Sequence, residues 1–242
     1  MTYRKPPARS MDSNSSLYFK PRDAGGDRGN QGDRGERRNH GDRGDRDSPD
    51  GVPVQKKYED WAWELDLLPH GYVDDTRPMH LRDPILQVIG EQYFSILEVI
   101  IDREKIGNFK FEPRRRDFIG KGDQNIVGHR FKRIGYDKLT INAKAELPKV
   151  LESIVAANPD RFLAFFNNAK PLTTKMNQLE LLPGVGKKTM WQILDVRKKK
   201  PFSSFADITE RTGIGKPELL IVKRILKELE NPDEKHLLFV RH

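Results

Sequence analysis

Leu182-Pro183-Gly184-Val185-Gly186-Lys187-Lys188-Thr189 organises the second half of this 242-residue chain. A leucine-rich helix carrying Leu179, Leu181 and Leu182 is expected to end at Pro183-Gly184, and a second helix to run from Gly186 to about Lys200. Gly184 supplies the positive φ of a sharp turn, and Gly186 lets a partner's backbone come close. Val185 is placed to plug the apolar gap between the two helices. The unpaired N–H groups that open the second helix suit an anionic oxygen, as does the helix dipole, with Lys187, Lys188 and Thr189 beside it.

A lone Gly-x-Gly reads as an ordinary tight turn, but this one has a partial copy downstream. Thr212-Gly213-Ile214-Gly215-Lys216-Pro217 repeats the pattern, and Pro217 fits the first turn of a helix continuing through Leu219, Leu220, Val222, Ile225, Leu226 and Leu229. Between the copies, Ser204 with Asp207 three residues on reads as a capped connector helix. Both strings resemble the helix-hairpin-helix consensus, and two such hairpins around a connector resemble the pseudo-twofold unit of DNA- and RNA-associated proteins. Such a unit grips phosphate without reading bases. The expected contacts are Gly184, Val185, Gly186, Lys187, Lys188 and Thr189, joined by Gly213, Gly215 and Lys216.

Upstream, from about Tyr58 to Thr140, the pattern is that of strands. Pro84–Ile89 and Tyr93–Ile101 are apolar, β-branched runs around Gly90-Glu91-Gln92, a hairpin signature. Tyr58–Leu68, Phe109 and Phe111, Phe118-Ile119, Ile126-Val127 and Phe131 add short strands broken by Gly120, Gly122 and Gly128, which together suggest a small OB-like β-barrel. Arg114, Arg115, Arg116, Lys121, Arg130, Lys132 and Arg133 lie among these aromatics, a mixture suited to single-stranded or looped nucleic acid. After Thr140 the period becomes helical, with Leu147, Val150, Leu151, Ile154 and Val155 on one face and Pro148 expected to bend or delay the helix start.

The fold class expected is α+β: a disordered Gly/Asp/Arg-rich tail over 1–56, a barrel over 57–140, a helical linker over 141–170, a tandem hairpin domain over 171–231 and a tail over 232–242. The tail reading rests on three Gly-Asp-Arg-Gly copies with few apolar residues. His236–Val240 is expected to dock as a strand. Charge is uneven: residues 58–102 hold 2 basic and 10 acidic side chains, whereas 103–138 and 139–200 each hold 11 and 5. A positive face for a polyanion is implied. The chain has no cysteine, which excludes disulfides and thiolate metal sites. Its six histidines form no helically spaced pair, so no metal or other cofactor is expected. No apolar run is long enough for a membrane span, and a cytoplasmic protein is expected.

Trp61–Gly71, Arg133–Thr140 and Leu182–Thr189 together resemble an archaeal family classed as a domain of unknown function and described as nucleotide- or RNA-binding. The resemblance covers about residues 57–230 and implies the same barrel followed by hairpins. Its genes often neighbour those for a ribosomal protein, an RNA polymerase subunit and an rRNA adenine dimethyltransferase, implying a role near ribosome assembly or transcription, with a ribosome or polymerase as partner. It transfers no catalytic residue. The Leu182–Thr189 string is also similar to the hairpin of bifunctional DNA glycosylases, where Lys188 would be the Schiff-base nucleophile and Asp207 its aspartate. Strands stand where the helical domain that holds a flipped base would be. The expected function is therefore non-catalytic nucleic-acid binding, RNA before DNA, with lyase chemistry and a protein–protein adaptor as alternatives.

Overall fold

The computed structural model describes residues 59–121 and 130–241. The expected tail, Ile126-Val127 and the Gly122 and Gly128 turns lie outside the described residues. What is described belongs to one compact unit of mixed α and β structure.

Five strands form an antiparallel sheet: β1 (Trp61–Leu68), β2 (Ile85–Gly90), β3 (Ile96–Ile100), β4 (Arg116–Phe118) and β5 (Arg130–Arg133), in the order β4-β1-β2-β3-β5. The β2–β3 hairpin is in register from Ile85↔Ile100 to Ile89↔Ile96. The Glu59 carboxylate organises its turn by accepting the amides of Gln92 (2.9 Å), Tyr93 (2.9 Å) and Ser95 (3.1 Å). Phe94 adopts φ 57° there, and its ring is fully buried. The closed barrel expected from the strand count is not found: among the described residues β4 and β5 remain edge strands with three strands between them. Phe109 and Phe111, expected in a strand, lie in the segment between the short helix α1 (Arg103–Ile106) and β4.

Both faces of the sheet are covered, which explains the near-continuous apolar character of β2 and β3. On one face Ala62, Leu86, Val88, Leu97 and Val99 cluster with Ile101, Ile119 and the rings of Phe109 and Phe111. On the other, Leu65, Ile89, Phe94 and Ile96 share an apolar cluster with every long helix. These helices are α2 (Ile141–Ala157), α3 (Pro159–Asn168), α4 (Lys187–Lys199), α5 (Phe205–Thr212) and α6 (Pro217–Glu230). The segment 141–170, read as a linker, forms α2 and α3 and contributes Leu147, Leu151, Ile154, Phe162 and Phe166 to that cluster.

A polar row fixes where α2 leaves the sheet. Asp66, Gln87 and Glu98 are cross-strand neighbours. The Thr140 amide donates to Gln87 Oε1 (3.0 Å), and its hydroxyl donates to Asp66 Oδ2 (2.6 Å) while capping α2 by accepting the Ala143 amide (3.0 Å). Helix α2 begins before Pro148 and runs through it, so the proline does not delay the start. Two further departures concern the segment before α4. Strands β6 (Pro171–Thr173) and β7 (Met176–Asn177) make a small ribbon within the stretch after Thr140 whose period reads as helical. The leucine-rich element is a single 3-10 turn, Gln178–Leu181, closed at its start by reciprocal Asn177–Glu180 capping and followed by Pro183, too short for an α-helix.

Candidate nucleic-acid interface

The turn at Gly184 has the geometry its sequence demands. Gly184 takes φ +84°, a conformation that strains any side chain, and Val185 is buried between the flanking elements. Gly186 is the N-cap of α4 with φ −87°, and apart from its chain neighbours no described atom lies within 4 Å of where its Cβ would stand. Among the described residues no side chain caps this helix, and the first backbone amide engaged there is that of Met190, which donates to the Gly186 carbonyl (2.9 Å). The first-turn amides are thus left for an external acceptor. Lys187 and Lys188 are exposed and form no ion pair among the described residues, and Thr189 is half-buried.

The second turn repeats the left-handed glycine but not the helix start, and its chemistry is weaker. Gly213 is the left-handed C-cap of α5 (φ 71°), and Ile214 is buried where Val185 is. Gly215 and Lys216 are exposed, but Lys216 itself takes φ 51°. Pro217 removes one amide donor from the start of α6, and Glu218 places a negative charge in its first turn. The two turns adjoin across a cavity of about 300 Å³ lined by Gly184, Thr189, Gln192, Gly213 and Gly215 among others. Ser204 caps α5 by accepting the Asp207 amide (3.0 Å), as its spacing predicts. The Asp207 carboxylate accepts from the Ser203 amide (2.9 Å) and from Arg211 (3.1 Å), which hold it below its usual pKa, the Ser203 contact first.

One exposed aromatic on α4 escaped the motif reading. Trp191 is 57% exposed, one turn beyond Lys187 and Lys188, and lies in a polar stripe with Gln192, Asp195, Lys198 and Lys199. A helical wheel would have found it, since Met190 and Ile193 carry the buried side.

The basic residues of the sheet are dispersed rather than clustered. Arg114 lies 3.6 Å from Glu146. Arg115 is clasped by Glu64 (2.7 Å) and Asp117 (3.1 Å), donates to the Lys110 carbonyl and stands over the Phe109 ring. Arg116 stacks on Trp61 at 3.9 Å and pairs with Glu91 at 2.5 Å. On the opposite edge strand, Lys132 and Arg133 are exposed, Arg133 donating to Ser95 Oγ (2.8 Å), and Phe131 is 40% exposed beside them. Lys121 is exposed beyond β4, whereas the side chain of Arg130 lies outside the described residues. Among the described residues no group of three or more histidines or carboxylates is placed to hold a metal, and no helix is long and apolar enough to cross a membrane.

Residues 58–241 match the family described as "Protein of unknown function (DUF655)". The chain is 41% identical over 187 residues to "Uncharacterized protein MJ0038" of Methanocaldococcus jannaschii, covering 77% of this chain and 82% of that protein. It is also similar to the crystal structure of Af1531 from Archaeoglobus fulgidus, with 47% identity and a TM-score of 0.69 over 76% of this chain and 100% of the other.

Proposed function

This chain belongs to the DUF655 family, and from its own geometry we propose that it is a non-catalytic nucleic-acid-binding protein, with RNA its preferred partner. The Gly184 turn is read as a helix-hairpin-helix clamp on phosphate. A single observation carries this: the start of α4 is uncapped by any side chain, unobstructed at Gly184 and Gly186, and flanked by the exposed Lys187 and Lys188. Such a terminus accepts an anionic oxygen through backbone donors and dipole together. The Gly213 turn, short of one amide and carrying Glu218, serves as the weaker half of the pair. The sheet is read as OB-like, with Phe131, Lys132 and Arg133 on its β5 edge as a second contact. A non-catalytic role is favoured because Asp207, the acid a Lys188 nucleophile would need, is engaged by Ser203 and Arg211. A role in ribosome assembly or transcription follows only from the family resemblance.

Gly186→Asp tests the clamp without disturbing the fold. The φ at 186 is open to any residue, and aspartate is a somewhat better N-cap than glycine. Its carboxylate would occupy the amides and repel phosphate. Thermal stability should stay level or rise slightly, while affinity for all RNA sequences, measured by fluorescence anisotropy, should fall at least tenfold. A folded Gly186→Asp protein that binds as tightly as wild type would sink the proposal.

A further inference from the structure

The three tryptophans have different surroundings. Trp61 is stacked by Arg116 and meets Phe118 edge-on at 5.2 Å, and the Trp63 indole donates to Glu91 Oε2 at 3.1 Å. Both belong to the sheet's own network. Trp191 belongs to none: among the described residues no ring or cation contacts its indole, and more than half its surface is in solvent. Its neighbours across one helical turn are Lys187 and Lys188, about 6 and 4.5 Å away along the axis. A phosphate held at the start of α4 therefore places its nucleotide within reach of the indole face. Charge complementarity selects the occupant, since these lysines attract a polyanion whose bases carry flat apolar faces.

We infer that Trp191 is a stacking platform for an unpaired RNA base whose own or neighbouring phosphate sits on the Gly184–Gly186 turn. This rests on the clamp reading and narrows it. A paired base inside a duplex has both faces covered by its neighbours, so the platform takes an unpaired, single-stranded base. Sequence preference at this contact is weak, because every base has a π-face.

The test uses the full chain with a fluorescein-labelled single-stranded RNA and a blunt RNA duplex of equal length, by anisotropy across a salt series. Trp191→Ala should weaken single-strand binding about tenfold or more, Trp191→Phe should retain most of it, and both should leave duplex affinity and the salt slope unchanged. The double variant Lys187→Ala/Lys188→Ala should lower the single-strand salt slope by about 1.4, the contribution of two phosphate contacts. Undiminished single-strand binding by Trp191→Ala, with the lysine variant still lowering the slope, would overturn the platform and leave the clamp standing. Equal losses on single strand and duplex would also overturn it, marking Trp191 as a general contact. A wild-type chain that binds neither RNA would overturn clamp and platform together.

Discussion

Glycines in this chain are required for opposite reasons, and only one kind is visible in the local sequence. Gly184 is legible because the positive φ that requires it arises within the eight residues Leu182–Thr189. Gly90 is different: a Cβ there would stand 2.0 Å from the Glu59 carboxyl carbon. That carboxylate is buried and cannot swing aside without releasing the three amides of the β2–β3 turn. Hydrogen bonds to a charged group contribute about 1.5–3 kcal/mol each. Gly90→Ala should therefore cost about 2–4 kcal/mol in urea unfolding, since partial relaxation saves some of the three. In a Glu59→Ala background, already lacking those bonds, the same alanine should cost much less. Additive losses in that double-mutant cycle would show that the clash is not what makes Gly90 necessary. Trp191 illustrates a third case, legible from helical spacing but invisible to a motif search centred on glycines.

The longer strands and helices are readable one at a time, whereas the short elements around Phe109 and before α4, and the pairing of the strands, are not. The runs at Pro84–Ile89 and Tyr93–Ile101 form a hairpin because they are adjacent in sequence, but nothing local says that β4 joins β1 or that β5 joins β3. Likewise net charge counts arginines without saying which are consumed. Arg115 is spent holding the β4 approach to β1, and Arg197 on the carbonyls of Phe166 and Ala169 at the end of α3. The Arg115 site has a measurable consequence. Glu64 and Asp117 share this one guanidinium, and burial first, then the bond with Asp117, pushes Glu64 from 4.5 up to about 8. The folded state thus holds a proton that the unfolded chain releases above about 4.5. Stability from this site is complete below that pH and is lost as pH rises through about 8. Unfolding free energies of wild type and Glu64→Gln at pH 5 and pH 8 should diverge, with the glutamine form gaining relative to wild type at the higher pH. A difference independent of pH would mean that Glu64 is ionised throughout.

The sheet and the helices are joined at the C-terminal segment, through a buried pair that an apolar reading of α6 overlooks. Arg224 and Glu228 are spaced i, i+4 within the run Leu219–Leu229, where an amphipathic helix would place exposed charges, yet both are fully buried. Glu228 accepts the amides of Leu238 (2.8 Å), Phe239 (3.0 Å) and Val240 (3.0 Å), while Arg224 donates to Glu228 (2.7 Å) and to the His236 carbonyl. Residues 236–240 therefore dock without forming the expected strand, because a carboxylate rather than a strand edge receives their N–H groups. Phe239 and Val240 enter the shared core, and the Arg241 amide continues to the Tyr93 carbonyl in the β2–β3 turn (3.1 Å). A chain tied this way should unfold as one unit, with the fluorescence of Trp61 and Trp63 tracking the far-UV signal of the helices through a single urea transition. Glu228→Ala takes the acceptor from the Arg224 Nε–H and from three buried amides, leaving that guanidinium to Glu234 and the His236 carbonyl, and should cost about 3–5 kcal/mol. It should lower both signals together, because the tie runs from α6 through the C-terminal segment to the sheet. If the helical signal fell to lower urea while the tryptophan signal of the sheet stayed where it was, the two layers would be folding independently, and the Glu228 contacts would serve α6 alone.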